Sequence, residues 1–436
     1  MSVLMSDENI KERLKKFFFA FSYSVFEHTK WYDEEISSYL RKCFDSEGRR
    51  IITLKYGINP QQTDAQVYFE GSDMPLKVLN GSPSYINILD ALNSWQLVSE
   101  LKKATGMPAA ASFKHVSPAG AAIGLPLNES EAKSFMVADL PISRSSPSLA
   151  AAYARARGSD RMSSFGDFIA LSDVCDDLTA KVISREVSDG IVAPAYDASA
   201  LATLAKKRTG NYIILTIDPK FLPSETEERT IFGLRIKQKR NNTAICSETF
   251  KNILPNSAVY DLIIATVAVK YTQSNSVCFA YRGQVIGIGA GQQSRIHCTR
   301  LAAEKALNWS LRQHDRVLNL PWKANCKRID KSNAIDMMIT GFDANDIALE
   351  KWRNNFTEIV QPFSFDERKE WMNKMCNIVM SSDGFFPFRD NIDCASKYGV
   401  KYIASPGGSE RDDDIIKACN EHGITLIHTG IRLFHH

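Results

Sequence analysis

The sequence lacks the features of membrane and nucleic-acid-binding proteins. None of its apolar runs approaches the roughly 20 residues that a membrane-spanning helix needs. Its 53 Lys and Arg residues nearly balance its 50 Asp and Glu residues, which leaves a net charge of +3 on 436 residues. The chain therefore has no overall field that would attract nucleic acid or an anionic membrane. A small anionic substrate is still compatible, because a phosphate group needs only a few local cations.

Metal and disulfide motifs are absent as well. The nine cysteines form no CxxC pair, which argues against a zinc ribbon and against a disulfide framework. The HExxH motif and the HxE…PCxxC pattern of zinc deaminases are also missing. We therefore expect reduced thiols, a cytosolic protein and no catalytic zinc.

The N-terminal segment contains an apolar run, 17–26, directly after Lys15 and Lys16. This arrangement superficially resembles a signal peptide, but no small-x-small cleavage site follows the run. We therefore interpret residues 1–46 as a short, mostly helical segment.

The remainder of the chain has the texture of an α/β protein. From Ile51 onward, short apolar runs alternate with Gly/Pro turns and helical periodicities. The polar stretch 222–229 is the best candidate for an internal boundary. Because the texture is similar on both sides of it, we predict two related lobes, 47–222 and 223–436.

A Lys-His pair follows a strand of small residues. The predicted strand 107–113 ends at Lys114 and His115, just before a Pro/Gly turn, and α/β proteins often place chemistry at such strand ends. A histidine beside a lysine can act as a base, and the lysine can donate a hydrogen bond to a developing oxyanion. These roles suit acyl or formyl transfer to a weak amine. The alternative is an ordinary surface pair at a strand end.

The glycine run 287–291 does not match a dinucleotide fingerprint, because Gln292 stands where GxGxxG needs its third glycine. Two interpretations remain. Backbone N–H groups and Arg295 could meet an anion at a helix N-terminus. Alternatively, the run is a tight turn between a hairpin and a helix.

A third segment, 382–391, combines three phenylalanines with Asp390 and Asn391. Aromatic faces with a carboxylate and an amide suit a planar heterocycle that needs stacking and hydrogen bonds at its edge. The alternative is an apolar loop followed by a helix whose N-cap is Asp390 or Asn391.

Taken together, eight blocks resemble one family, the AICAR transformylase (5-aminoimidazole-4-carboxamide ribonucleotide formyltransferase) region of the bifunctional purine-synthesis enzyme. The blocks are KYGINPQQ (55–62), SFKHVSPAG (112–120), RMSSFGD (161–167), SDG (188–190), KYTQSNS (270–276), GAGQQSR (289–295), FFPFRD (385–390) and RLFHH (432–436). They occur in family order across most of the chain. The resemblance implies an α/β fold with two cytidine-deaminase-like lobes. The segment 1–46 resembles only the last helix of the partner IMP cyclohydrolase domain, so most of that domain is expected to be missing.

The resemblance also implies an activity. A phosphoribosylaminoimidazolecarboxamide formyltransferase moves the formyl group of 10-formyltetrahydrofolate to the 5-amino group of AICAR in de novo purine (IMP) synthesis, giving formyl-AICAR and tetrahydrofolate. The family works as a cytosolic homodimer with active sites shared between subunits. No nucleic acid or membrane partner and no cyclohydrolase activity are expected.

Site residues are carried over from the matching blocks. Lys114 and His115 are the expected catalytic pair: His115 would shuttle the amine proton and Lys114 would stabilise the tetrahedral intermediate. The residues expected to hold AICAR are Lys55, Tyr56, His115, Gly166, Asp189, Asn275, Arg295, Phe385 and Arg432. Those expected to meet the formyl-folate are Ile296, Asp390, Ser409 and Glu410. A structural, potassium-like ion is allowed near Thr272, Ser274, Ser276 and Asp383.

Two positions depart from the family pattern, since Lys55 and Gln61 stand where Arg and His are usual. A lysine keeps the charge but loses the two-pronged geometry of a guanidinium on phosphate. Two other functions compete with the transformylase: a catalytically inactive binding protein that kept the fold, and a zinc-free deaminase relative that acts on a nucleotide. The intact catalytic pair favours the transferase.

Overall fold

The computed structural model describes residues 7–44, 51–71, 73–250, 254–341 and 348–436. It divides into two compact units, Met1–Pro75 and Leu76–His436. Within the predicted helical segment 1–46, one long helix, α1 (Asp7–Phe44), confirms the expectation; positions 1–6, 45 and 46 lie outside the described residues.

The N-terminal unit adds a small sheet to α1. Strands β1 (Ile51–Thr53) and β2 (Gln66–Tyr68) pair antiparallel. Aromatic side chains of the run 17–26 are exposed, and the Phe17 and Phe21 rings stack on each other with centroids 6.5 Å apart. None of the described helices is long and apolar enough to cross a membrane.

The larger unit begins with alternating strands and helices. In chain order they are β3 (Leu76–Asn80), α2 (Tyr85–Thr105), β4 (Ala109–Lys114), β5 (Ser117–Ile123), α3 (Glu129–Ser134), α4 (Leu149–Ser159), β6 (Asp167–Leu171), α5 (Asp177–Ser184), β7 (Ser188–Ala193), α6 (Ala198–Ala205), β8 (Ile213–Ile217), β9 (Thr226–Ile231) and β10 (Leu234–Lys239). A 3₁₀ turn occurs at Ser247–Thr249, and Lys207–Gly210 form a tight turn in which Arg208 and Thr209 have left-handed φ angles of 52° and 55°.

The second half of this unit repeats the alternation with an insertion, whose described residues form four helices. Its elements are α7 (Asn256–Lys270), β11 (Val277–Tyr281), β12 (Gln284–Gly289), α8 (Arg295–Leu311), α9 (Asp315–Leu318), α10 (Arg328–Thr340), α11 (Ala348–Arg353), α12 (Phe365–Met372), β13 (Ile378–Ser382), α13 (Asp390–Ser396), β14 (Val400–Ser405), α14 (Asp412–Glu421) and β15 (Thr425–His428). Helices α9 to α12 enclose a core of their own around Trp352 and Phe356.

One sheet of eleven strands organises the unit, in the order β15-β14-β13-β11-β12-β5-β4-β6-β7-β8-β3. The order β5-β4-β6-β7-β8, which we call the first half-sheet, recurs as β12-β11-β13-β14-β15, the second half-sheet. In each, a hairpin is followed by three parallel strands. The two halves join where Gln284 of β12 lies opposite Ala122 of β5. The α/β prediction is confirmed, and the division into 47–222 and 223–436 stays a prediction.

Local signals explain the main helices. In α2, Ile88, Leu97 and Leu101 are buried, and the helix ends at Gly106, whose φ of 72° is the left-handed C-cap that glycine adopts most easily. Helix α7 is apolar around most of its circumference, and its residues from Asp261 to Lys270 are all buried. A helix of this kind belongs inside a layer rather than on the surface.

The glycine run owes its composition to packing. Gly287 and Gly289 lie inside β12, where a Cβ would collide with the carbonyl oxygens of Ala302 and Cys298 on α8. Their interpretation as part of a turn or an anion-binding loop is therefore wrong. Only Gly291, with a φ of 65°, lies in the connection to α8.

Candidate active site

The predicted site residues of the first half-sheet meet at one edge. Strand β4 ends at Lys114, which lies opposite Ser117 at the start of β5. Strands β6 and β7 begin at the same edge, because Asp167 lies opposite Ser188 and β6 runs antiparallel to β4. We call this edge the Lys114 edge.

In the second half-sheet, the parallel strands run in the opposite direction, so they end at the Lys114 edge instead of beginning there. Strand β12 ends and β11 begins there, with Val277 opposite both Gly289 and Ser382. The parallel strands β13, β14 and β15 end there as well. The backbone N–H of Gln273 donates to Ser117 Oγ at 3.3 Å, so the two halves are in direct contact at this edge.

The Lys114–His115 pair is displayed on a tight hairpin turn. His115 and Val116 connect β4 to β5 with φ angles of 54° and 59°, the left-handed values that a two-residue primed turn requires at both positions. Lys114 Nζ donates to the Phe165 carbonyl oxygen at 2.7 Å. The His115 side chain is exposed and makes no hydrogen bond or ion pair with the described residues, so its imidazole is available at the edge.

Gly166 and Asp189 face each other beside this turn. Gly166 has a φ of 75°, and Asp189 Oδ1 is the nearest atom to the place where its Cβ would be. The half-exposed Asp189 carboxylate forms an ion pair with Arg208 at 3.1 Å. No sequence signal pointed to Arg208, because it follows α6 rather than any recognised motif.

A buried acid supports the loop that contains Gly166. Asp167 accepts hydrogen bonds from Ser112 Oγ at 2.6 Å and from Arg157 Nη1 at 2.7 Å. Burial raises the pKa of its carboxyl to about 6, although Arg157 opposes the shift. These hydrogen bonds connect the start of β6 to β4 and to α4, and they fix the end of the loop that contains Gly166.

Arg295 is the centre of the polar cluster in the second half-sheet. The side chain is almost fully buried, and its Nη1 donates to Asp383 Oδ1 at 2.5 Å and to Ser382 Oγ at 2.8 Å. Its Nη2 donates to Asn275 Oδ1 at 2.9 Å. Glycine at position 384 leaves room for this arrangement, because a Cβ there would displace the Arg295 guanidinium. The predicted residues Asn275 and Arg295 are therefore brought together.

The C-terminal tail is pinned to this cluster. The Leu433 N–H donates to the Asp383 carbonyl at 2.9 Å, and the Ser274 N–H donates to the His435 carbonyl at 2.9 Å. Arg432 is exposed, with its guanidinium 4.8 Å from the Phe434 ring centroid. The tail thus brings the predicted Arg432 to the Lys114 edge.

The residues named for a potassium-like ion are only partly grouped. Ser274 Oγ and the Ser276 N–H both donate to Asp383 Oδ2, at 2.6 and 3.1 Å. The Thr272 hydroxyl instead donates to the Ala268 carbonyl in the last turn of α7. Arg295 already balances the Asp383 charge, so the ion stays a prediction.

The four residues expected to meet the folate lie on loops and helix ends that contact one another. Thr299 Oγ1 on α8 donates to Asn391 Oδ1 on α13 at 2.8 Å, which links the helices that carry Ile296 and Asp390. The Arg411 guanidinium lies 5.5 Å from the Phe388 ring centroid, which links the loop 385–389 to the loop that carries Ser409 and Glu410.

The aromatic segment divides between core and surface. Phe386 is buried, whereas Phe385 and Phe388 are 45% and 56% exposed, so two rings remain able to stack on a ligand. Helix α13 begins at Asp390 with Arg389 in the N-cap position. The predicted N-cap at Asp390 or Asn391 is therefore wrong, by one or two residues.

Lys55 and Tyr56 belong to the N-terminal unit. The Lys55 ammonium is exposed and lies 5.8 Å from the Tyr56 ring centroid. The loop after them is closed by Gln62, whose Oε1 accepts the Asn59 N–H at 2.8 Å. Their expected role at the AICAR phosphate stays a prediction.

Comparison with known proteins assigns the family. Residues 2–305, more than half of the chain, match the AICARFT/IMPCHase bienzyme family. The chain belongs to this family.

Curated relatives of this bienzyme-family member include three bacterial proteins, each named bifunctional purine biosynthesis protein PurH. The protein of Xylella fastidiosa strain 9a5c is 28% identical over 445 aligned positions, which cover 96% of this chain and 67% of the relative. The protein of Roseobacter denitrificans is 29% identical, and the alignment covers 95% of this chain and 66% of the relative. The protein of Aquifex aeolicus is 28% identical, and the alignment covers 95% of this chain and 67% of the relative. The chain thus spans about two thirds of the length of these relatives.

A cavity of about 520 Å³ opens next to the candidate site of this bienzyme-family member, lined by Phe165, Glu186 and several arginines. None of the residues expected to bind substrate lines it. Although burial opposes ionisation, neighbouring arginines hold the pKa of Glu186 at about 2. Three of the arginines that line the cavity form ion pairs with this carboxylate: Arg157, Arg161 and Arg328. The Lys114 edge, rather than this cavity, therefore remains the candidate site.

Proposed function

We propose that the chain is an AICAR formyltransferase of purine biosynthesis, which transfers the formyl group of 10-formyltetrahydrofolate to the 5-amino group of AICAR. The observation that carries the proposal is the exposed turn with Lys114 and His115 at the edge where both half-sheets meet. Membership of the bienzyme family and the names of its relatives agree with it.

The proposed chemistry uses the pair as base and oxyanion partner. The AICAR amine nitrogen attacks the formyl carbon while His115 takes up the amine proton. Lys114 has three N–H donors, of which one is used by the Phe165 carbonyl, so a second can stabilise the oxyanion of the tetrahedral intermediate. The intermediate then collapses, the bond from the formyl carbon to folate N10 breaks, and the proton passes to N10. The products are formyl-AICAR and tetrahydrofolate.

The polar clusters supply binding groups for the two substrates. We propose that Asn275 and Arg295 contact the AICAR base, together with Gly166 and Asp189, and that the exposed Arg432 meets its phosphate. The exposed Phe385 ring offers a stacking face. The remaining loop residues, Ile296, Asp390, Ser409 and Glu410, are proposed to contact the folate.

A direct assay tests the function. AICAR and 10-formyltetrahydrofolate are supplied to the purified chain, and tetrahydrofolate release is followed with time. Enzyme-dependent release supports the transferase. Binding of AICAR without turnover would indicate an inactive binding protein instead, and ammonia release would indicate a deaminase.

The repeated strand order with three parallel strands in each half supports the proposal of cytidine-deaminase-like lobes.

We also propose a cytosolic homodimer with shared active sites. Its support is exposed apolar surface that a partner would cover: Phe232 and Leu234 on the β9–β10 hairpin, as well as the aromatic run 17–26 of α1. Sedimentation velocity at micromolar concentration is expected to give twice the monomer mass. A fully active monomer under those conditions would contradict the proposal.

This chain is expected to produce no IMP from formyl-AICAR. In its described N-terminal residues, one long helix with exposed side chains and a two-stranded sheet offer too little core to enclose a second active site. The measurement supplies formyl-AICAR to the protein alone and follows IMP by chromatography. A separate cyclohydrolase, added as a control, should pull the forward formyl transfer towards completion by mass action. Steady IMP production without it would show that these residues do contain a cyclohydrolase site.

A further inference from the structure

The turn that carries His115 has an unusual residue in a demanding position. Both central residues of a primed two-residue turn need φ above zero, and glycine or asparagine is normally found there. Position 116 is instead valine at φ 59°, and a β-branched side chain in this region is strained. Some other group must therefore compensate for this strain and hold the turn in shape.

Asp90 is that group. It lies on α2, 26 residues before Val116, and its Oδ1 accepts the Val116 N–H at 2.7 Å. The carboxylate is 6% exposed, and no described cation forms an ion pair with it. Burial raises its pKa to about 6, and the carboxylates of Asp167 and Asp189 act in the same direction. A buried acid without a counter-ion is costly, so its contact with the turn must matter.

The second half-sheet contains the same arrangement without the catalytic residues. Its hairpin turn, Arg282 and Gly283, has φ angles of 50° and 79°. Asp261 on α7 accepts both turn N–H groups, at 2.9 and 2.6 Å. Asp261 is the sixth residue of α7, as Asp90 is of α2. The difference is that this turn has glycine where the Lys114–His115 turn has valine.

We propose that Asp90 is a positioning residue: its carboxylate fixes the left-handed turn that presents the Lys114 ammonium and the His115 imidazole side by side at the sheet edge. The second half-sheet uses the same helix-to-turn contact as a purely structural support. In the first half-sheet the contact sets the geometry of the catalytic pair. The inference rests on the proposed formyl transfer for its kinetic test.

The kinetic test separates positioning from binding. Asp90→Ala is expected to lower kcat by about 10- to 100-fold, as displacements of about 1 Å in a catalytic group do, while KM for AICAR changes less than about threefold. Asp90→Asn keeps an oxygen acceptor for the Val116 N–H and should recover most of the loss. Asp261→Ala is the matched control, because it removes the equivalent contact from a turn without catalytic residues; it should lower thermal stability with little change in kcat.

A glycine at position 116 tests whether backbone strain at Val116 is the reason that the turn needs Asp90. In the double variant Asp90→Ala with Val116→Gly, the turn has glycine at the position equivalent to Gly283 and reaches positive φ without strain. It should regain at least a third of the wild-type kcat. An unchanged kcat in Asp90→Ala, or a loss that is recovered neither by Asp90→Asn nor by adding Val116→Gly, would overturn the proposal. If Asp90→Ala does not fold, Asp90→Ser carries the same test, since its hydroxyl is too short to reach the N–H.

Amide hydrogen exchange tests the contact independently of activity. The Val116 N–H should exchange at least tenfold faster in Asp90→Ala than in the wild type and return towards the wild-type rate in Asp90→Asn. Equal exchange in all three proteins would overturn the assignment. If the wild-type chain shows no formyl transfer, the proposed function fails, whereas the exchange experiment still decides whether Asp90 holds the turn.

Discussion

Replacing His115 by alanine is expected to lower formyl transfer by about 10²- to 10⁴-fold, the range for loss of a general base. The dissociation constant for AICAR should change only a few-fold, because we propose that binding rests mainly on other groups such as Asn275 and Arg295. The imidazole makes no hydrogen bond or ion pair within the part of the chain that the structure describes, so its removal should leave the fold intact. Tetrahydrofolate release and AICAR titration calorimetry measure the two effects separately.

Two further variants sharpen the result. Lys114→Arg should also be badly impaired, because a bulkier planar cation cannot place one donor on the same oxyanion. His28→Ala on α1 is the matched control, since it removes an exposed histidine far in sequence from the motif and should leave turnover unchanged. Near-normal turnover in His115→Ala would show that the pair has been assigned wrongly.

Replacing Asp383 by alanine is expected to destabilise the chain by about 3–5 kcal/mol, the usual cost of leaving a buried charge without its partner. Asp383 is fully buried, and Arg295, its ion-pair partner, is 7% exposed. The variant also removes the acceptor for Ser274 Oγ and the Ser276 N–H. The midpoint of urea unfolding, followed by circular dichroism, measures the effect.

An exposed ion pair at the C-terminal end of α12 provides the control. Glu370 and Lys374 form an i,i+4 ion pair at 3.0 Å with both side chains largely solvated, and Glu370→Ala should cost less than about 1 kcal/mol. Asp383→Asn should fall between the two variants, because it keeps the shape and an acceptor but loses the charge. Equal midpoints for Asp383→Ala and Glu370→Ala would refute the view that the buried pair holds the cluster together.

Local patterns in the sequence are enough to locate some elements of the fold. The helix within 1–46 and the strand that ends at Lys114 both appear where the patterns predict them. Periodicity and turn chemistry are properties of a few neighbouring residues, so they can be recognised without knowing the fold. The resemblance of the eight blocks to one family indicated which family the chain belongs to.

The glycine run shows where a local pattern misleads. Glycine is common in turns, which favours a turn at Gly287 and Gly289, whereas both residues lie in a strand that a helix passes at close range. The reason for glycine at these positions is a contact between β12 and α8 of the finished fold. No spacing within 287–291 contains that information.

The sequence by itself determined which residues are candidates for the chemistry: a lysine and a histidine at a strand end, and the polar residues of the matching blocks. Only the tertiary structure decided how they are held. Asp383 is 88 residues from Arg295, and Asp90 is 26 residues from Val116, so neither partnership follows from a local pattern. Both depend on strand order and on helices packed against the sheet, because a buried charge or a strained turn is satisfied by whatever group the fold brings within hydrogen-bonding distance.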